Sequence, residues 1–566
     1  MRYLLSVFSI LILYSNMAQA LNIIMPEDIF TPIQAKNGMV VTSEQIATEI
    51  GIQVLKNGGN AIDAAVTIGF VMSVTFPQAG NIGGGGFMLV YSAKNNKVIA
   101  IDYREKAPAQ ATKDMFLDTT GEIDYQISQF SYLSAGVPGT VAGMAMALEK
   151  YGTLSLAEAL SPAIKLAKEG FIVNQSFSNS IKHRVQNFQK HSATLAIFLK
   201  PDGSFYEIGD IFIQQDLANT LKTIANQGVK GFYTGKIADL IANDMQQHGG
   251  LITTADLANY QPKLREPIFG SYRGHDIYSM SPPSSGGTHI IQILNILENY
   301  KLTDHNTAAN IHLMVEAMKL AYADRAKYLG DTDFVTVPVK GLTSKLYAKN
   351  LSQQINQLKA TKSKDIYPGK PTGYESNETT HYSVVDREGN AVSNTYSLNF
   401  SYGAGIVIKG TGMLINNTMD DFSSKPGQPN AYGLIGGTAN AIEPNKRMLS
   451  SMSPTIVLKN GKPFLVTGSP GGSKIITTTL QVILNVIDYN MNIQEAVNAV
   501  RIHHQWLPEQ IRVEKGLNLD TIRLLTNMGH KVIVKHTMGA ASSILVKNGF
   551  YYGASDPRRL GMALGY

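Results

Sequence analysis

The chain has 566 residues, with 49 basic and 43 acidic side chains, a formal net charge of +6 and no cysteine. The missing cysteines exclude disulfides, a thiol nucleophile and thiolate metal sites, so stability must come from a large core, which a chain of this length can bury. The charge is spread along the chain without a block of five like charges, which gives no support to nucleic-acid or membrane binding.

At the N-terminus, Arg2, the apolar run Leu4 to Tyr14 and the small-x-small triplet Ala18-Gln19-Ala20 read as an export signal, residues 1–20, cut after Ala20. That run is too short to span a bilayer, and no later stretch is long and apolar enough to do so. A protein exported to the periplasm or the medium is expected. Thr42-Ser43-Glu44-Gln45 has the form of a capping box opening a helix to Lys56, and Asn60 is placed to cap an apolar helix through Val74. Gly83-Gly84-Gly85-Gly86 precedes a strand, Phe87 to Tyr91, and no Gly-Lys-Ser/Thr follows. Close backbone packing is therefore expected there rather than a phosphate loop. From Tyr132 to Lys364 helical stretches alternate with Gly/Pro turns. The best linker is Thr361 to Glu378, polar and rich in Lys, Gly and Pro.

The next segment, Glu378-Thr379-Thr380-His381-Tyr382-Ser383, carries the chemistry. A threonine hydroxyl is a poor nucleophile without a neighbour to take its proton. Breaking the bond before Thr379 gives that residue a free α-amine, which titrates near 8 and can serve as its base. Thr-Thr taken alone reads far more readily as the opening of a strand. Two strand-like runs then flank Arg387-Glu388-Gly389, the pattern of a type I turn closed by a bulge glycine. The resulting register sets Asp386 against Asn390, Val385 against Ala391 and, further out, Thr379 against Ser397. Opposed residues have Cβ atoms about 5 Å apart, so a second hydroxyl falls beside the proposed nucleophile.

Downstream, residues 426–444 form a long loop with four glycines, suited to a lid. Asn460-Gly461 marks a second hairpin. Its register, continued outward, places Ser450-Ser451 near Pro470-Gly471. The run Ser469-Pro470-Gly471-Gly472-Ser473 leads into a candidate helix from Lys474. Strand, glycine turn and helix start form a layout in which backbone N–H groups can hold an anion. His503-His504 is expected to be structural, because adjacent strand residues face opposite ways and no third ligand is spaced for zinc.

Several strings together resemble the γ-glutamyltransferases (γ-glutamyltranspeptidases) of the N-terminal-nucleophile hydrolases: Pro77 to Met88, Asp102-Tyr103-Arg104-Glu105-Lys106-Ala107-Pro108, Thr379 to Ser383, Asp420-Asp421-Phe422, Leu449 to Thr455, and Gly468 to Gly472. The resemblance implies an α/β fold, an αββα sandwich built from two subunits cut from one precursor, 21–378 and 379–566. It implies Thr379 as nucleophile, Gly471 and Gly472 as oxyanion donors, and Arg104 with Ser450 and Ser451 on the α-carboxylate of a γ-glutamyl group. Asp421 and Asn399 would hold its α-amine, and Tyr432 would sit on the lid. Two positions depart from the pattern. Ser397 stands where a threonine is usual, which keeps the hydroxyl. Thr418 stands where a longer Gln or Glu usually reaches the substrate amine, and is too short to replace it fully. The implied substrates are glutathione, related γ-glutamyl compounds, and amino acid or dipeptide acceptors, with no metal or organic cofactor. The alternatives are a related acylase for cephalosporins or poly-γ-glutamate, and a γ-glutamyl-binding protein that never cuts itself.

Overall fold

The computed structural model describes residues 29–370 and 381–566. The expected export signal and the cleavage pair Glu378–Thr379 lie outside the described residues. The elements that build the site, in chain order, are helices α1 (Gln45–Lys56) and α2 (Ala61–Thr75), strands β1 (Gly85–Ser92) and β2 (Lys97–Tyr103), and helices α3 (Thr140–Tyr151), α4 (Ser285–Leu297) and α5 (Ala308–Tyr328). Strands β3 (His381–Val385), β4 (Ala391–Ser397), β5 (Thr455–Lys459) and β6 (Lys462–Thr467) and helix α6 (Lys474–Ile487) follow.

Two seven-stranded antiparallel sheets lie at the centre. The first runs 562–565, 39–42, β3, β4, β1, β2, 263–265, and the second runs 33–35, 550–555, 542–547, β6, β5, 275–279, 268–272. Alternation along the strands explains why they stack. Phe87, Leu89 and Tyr91 of β1 join Ile456, Leu458 and Val466 of the second sheet in one apolar layer. Met88 and Val90, on the opposite face of β1, pack with α1, α2 and α3. Val457 and Leu465 turn the other way and pack with α4, α5 and α6. The result is helix, sheet, sheet, helix. Helix α2 is buried at every position, which is why its sequence is apolar all round. Among the described residues no helix is long and apolar enough to cross a membrane.

The hairpin register matches the sequence reading. Val385 pairs with Ala391 and His381 with Thr395, while Gly389 has φ +84° and donates to the Asp386 carbonyl. Three local details differ. The cap of α1 is Glu44, whose carboxylate accepts the Ile46 and Ala47 N–H groups at 3.0 and 2.8 Å and the Thr75 hydroxyl at 2.8 Å. Thr42 cannot do this, because its hydroxyl is already taken by the Glu44 N–H. Helix α2 runs one residue further, to Thr75, behind an Asn60–Asp63 capping box. In the second hairpin, Asn460 and Gly461 have φ of +53° and +73°, as a two-residue turn requires. A bulge between Val457 and Leu458 then shifts the register, and pairing ends at Thr455–Thr467. The strand ladder therefore stops short of Ser450. That residue instead bridges Ser284, and its carbonyl accepts the Ser285 hydroxyl at 3.1 Å.

Candidate active site

The glycine run before β1 lets three chain segments meet. A Cβ on Gly84 would lie 2.0 Å from the Ser397 carbonyl, and one on Gly83 would lie 2.1 Å from that of Leu414. Ser397 pairs with Gly85 across the first sheet, and Gly86 pairs with Tyr103 on the next strand. Arg104 leaves the sheet one residue later. Ser397 and Arg104 thus stand two strands apart, about 10 Å by strand spacing.

Arg104 is fully buried. Its Nη2 donates to Asp421 at 2.5 Å, its Nη1 to Glu105 at 3.2 Å and its Nε to the Met448 carbonyl at 3.5 Å. Asp421 closes a 3₁₀ turn, Thr418–Asp421. Ser450 and Ser451 follow Met448 closely and are also fully buried. The Ser451 hydroxyl has no hydrogen-bond partner. A buried polar atom without a partner is costly, and a ligand is one way to recover that cost. Thr418 is buried as well, but its hydroxyl donates to Asn416 Oδ1 at 2.6 Å.

Sequence reading did not single out Glu105, although it sits in the Asp-Tyr-Arg-Glu string. One oxygen faces Arg104, and the other, Oε1, is buried without a partner. Burial pushes its carboxyl up to about 7, against the pull of Arg104. At that value Glu105 keeps its proton through most of the acidic range. The fold therefore holds a proton that the unfolded chain releases above the ordinary 4.5. Stability falls as pH rises from about 4.5 through about 7. Glu105→Gln should flatten this fall, and thermal unfolding between pH 5 and pH 8 checks it. An unaltered slope would show that Glu105 is ionised throughout.

A second cluster forms a cavity of about 420 Å³ whose walls include Ser397, Asn399, Tyr432, Gly471 and Gly472. Ser397 Oγ accepts the Asn399 N–H at 2.8 Å, which fixes the hydroxyl at the end of β4. Asn399 has φ +77°, a left-handed conformation that asparagine tolerates better than most residues. Its amide is fully engaged. Nδ2 donates to the Asn417 carbonyl at 3.0 Å, and Oδ1 accepts the Tyr432 hydroxyl at 2.9 Å. Tyr432 sits on a tight turn of the 426–444 loop, where Gly433 N–H donates to the Asn430 carbonyl. Its ring meets Phe400 edge-on at 5.9 Å, and Gln505 holds its carbonyl at 3.1 Å. Tyr432 thus ties the 426–444 loop to Asn399, two residues beyond Ser397.

Gly471 and Gly472 have φ of +136° and +59°. Their carbonyls accept the first N–H groups of α6, whereas their own N–H groups donate to no other described residue. Two unspent N–H groups at a helix start make an anion site. Gly468, just upstream, has no room for a side chain, since a Cβ there would lie 2.4 Å from His381 Nδ1. This packs the glycine turn of the second sheet against β3 of the first. Burial holds His381 down at about 3, so it stays neutral. Neutral His381 lies 2.8 Å from Ser383 Oγ and 3.1 Å from Thr395 Oγ1.

His503 and His504 are both buried and bond within the protein, His503 to Thr477 and Gln505, and His504 to the Trp506 N–H. Among the described residues, His312, Glu316 and His530 bring ligand-type atoms within 4.8 Å of one another. They are spent on their neighbours. His312 lies 2.7 Å from both His530 and the Asn356 carbonyl, and Lys319 lies 2.9 Å from Glu316.

Comparison with known proteins agrees with this geometry. Glutathione hydrolase proenzyme from Escherichia coli (strain K12) is 55% identical over 536 residues, covering 94% of this chain and 92% of its own. Among solved structures, cephalosporin acylase from Bacillus halodurans superposes with a TM-score of 0.85 at 29% identity, over 96% of this chain and 98% of its own. A chain of Helicobacter pylori gamma-glutamyltranspeptidase has a TM-score of 0.57 at 49% identity and covers 61% of this chain and 97% of its own. The family model described as gamma-glutamyltranspeptidase matches residues 47–566, so the chain belongs to the γ-glutamyltranspeptidase family.

Proposed function

We propose that this protein is a self-cleaving γ-glutamyl transferase and hydrolase that breaks glutathione and other γ-glutamyl amides. The observation that carries the reading is the buried Arg104–Asp421 pair, bonded to Met448 three residues before Ser451, whose hydroxyl has no partner among the described residues. A guanidinium suits the α-carboxylate of an amino-acid head group and a carboxylate suits its α-ammonium. An acyl donor without an amine would leave Asp421 with Arg104 alone, which disfavours the cephalosporin-acylase alternative.

In this reading Thr379 Oγ attacks the Glu378 carbonyl, the C–N bond breaks to leave an ester and a free α-amine, and water hydrolyses the ester, giving pieces 21–378 and 379–566. The H. pylori chain covers about the share of this sequence that 21–378 would occupy. Thr379 Oγ attacks the γ-carbonyl while its own amine takes the proton. The oxyanion rests on the Gly471 and Gly472 N–H groups. The C–N bond then breaks, the leaving amine takes the proton, and a γ-glutamyl ester remains on Thr379. Water or an acceptor amine attacks that ester, the C–O bond breaks, and Thr379 regains its proton. Ser397, oriented by the Asn399 N–H, steadies the nucleophile. Arg104, Ser450 and Ser451 take the carboxylate. Asp421 and Asn399 take the amine, the Asn399 amide also holding Tyr432, while Thr418 is turned to Asn416. Residues 1–20 direct export.

Purified protein should give two bands on a denaturing gel and release p-nitroaniline from γ-glutamyl-p-nitroanilide, faster with glycylglycine. A single band without turnover would overturn the reading. Gly472→Ala tests the oxyanion turn. Its Cβ would lie 2.5 Å from the Tyr432 ring at a φ of +59°. Turnover should fall by about 10²–10³, the usual cost of one oxyanion donor, and single-turnover acylation measures it.

A further inference from the structure

The cavity that holds Ser397 and the glycine turn has a second character that the steps above do not use. Three basic side chains, Arg184, Lys474 and Arg559, line it, and no aspartate or glutamate does among the described residues. The two arginines are incompletely satisfied. Both side chains are half-buried, and Arg559 Nη1 and Arg184 Nε are buried without a hydrogen-bond partner among the described residues. Burial lowers both guanidinium groups below their ordinary value, with Asp556 offsetting part of the effect at Arg559. Unmet guanidinium donors are well completed by a further anion.

Both guanidinium groups are held in place from behind. Arg559 lies 5.9 Å from the Phe76 ring centre. Arg184 lies 5.6 Å from that of Phe130 and donates to the Gly403 carbonyl at 3.3 Å. Phe130 packs on Phe400, which packs on Tyr432, at 5.9 Å in each case. The Arg184 fork is thus held by a ring and a carbonyl and the Arg559 fork rests against a ring, placements that suit carboxylate recognition.

Resting on the γ-glutamyl reading, we infer that Arg559 and Arg184 form a carboxylate subsite for the other half of the reaction: the C-terminal carboxylate of the leaving peptide, and then of the acceptor that replaces it. The head group already has its own guanidinium in Arg104, which is paired with Asp421. Two extended residues reach about 7 Å past the scissile amide, the span over which a dipeptide presents its carboxylate. Leaving group and acceptor occupy the same side of the ester, so one subsite serves both. The acceptor amine forms the new C–N bond as the ester C–O bond breaks, and its extra proton returns to Thr379.

The test compares glycylglycine with glycylglycine amide, an acceptor of the same length without the carboxylate. Donor hydrolysis without acceptor is measured first on each preparation. Its absence in the parent protein counts against the proposed function and leaves the subsite out of account. The parent enzyme should prefer glycylglycine in kcat/KM by about tenfold or more, the worth of one charge-assisted hydrogen bond. Arg559→Gln and Arg184→Gln should each erase most of that preference, and Arg559→Lys should keep part of it. No preference in the parent enzyme overturns the inference, as does an unchanged preference in both glutamine variants. Should a variant fail to mature, the parent comparison still decides.

Discussion

Thr379→Ala should yield one uncut chain on a denaturing gel and no turnover of any γ-glutamyl donor. The two losses have one cause. The hydroxyl that would attack the substrate is also the group proposed to open the bond before it, and the α-amine that would take its proton exists only after that opening. Removing the nucleophile of a comparable acyl-transfer unit costs on the order of 10⁶ in kcat. Here the base is lost as well, because the terminus never forms. Thr379→Ser keeps a hydroxyl and should still cut and turn over, more slowly. That contrast separates loss of the group from loss of the fold. Turnover persisting in Thr379→Ala would sink the assignment, whatever the gel showed. The described pairs of the hairpin run from Val385–Ala391 to His381–Thr395, the register from which the sequence reading sets 379 against Ser397. Slipping it by one would turn the nucleophile to the opposite face of the sheet.

Much of this was legible because it rests on local rules. The bulge glycine at 389 and the Asn-Gly turn at 460–461 define hairpins by backbone conformation alone, and both have the left-handed angles the residues imply. Period-two alternation in β1 separates Phe87 and Leu89 from Met88 and Val90, and those pairs face different layers. What stayed hidden was tertiary. The bulge at Val457–Leu458 has no turn residue to announce it, so continuing the ladder to Ser450 ran past its end. Glu44 caps α1 because Thr75, from the next helix, meets its carboxylate. The hydrogen bond from Tyr432 to Asn399, thirty-three positions apart, has no signal in either stretch of sequence. Arg184 and Arg559 carry no motif at all. Only the fold brings them to one wall, and only their unmet polar atoms mark them.

The largest effect away from the nucleophile is expected at Arg104, and it has two separable parts. Arg104→Met removes the guanidinium bonded to both Asp421 and Glu105. Breaking one side of a buried ion pair typically costs about 3–5 kcal/mol, because the charge left behind is uncompensated. Chemical denaturation should register a loss of that order. Donor kcat/KM should fall by about 10³ at the same time, since the α-carboxylate loses its two-pronged partner. The double variant Arg104→Met with Asp421→Asn then distinguishes the parts. Neutralising Asp421 removes the stranded charge, so stability should return towards that of the parent. Activity should not return, because neither end of the zwitterion would have its counter-charge. If both variants were equally unstable, the pair would be a packing element and the loss of donor turnover a consequence of misfolding. If instead the double variant were stable and still took γ-glutamyl donors well, the head group would have to bind elsewhere. Because Arg104 and Asp421 are bonded to each other, a zwitterionic head group that bound them would exchange that salt bridge for two, which would couple its recognition to the stability of the site.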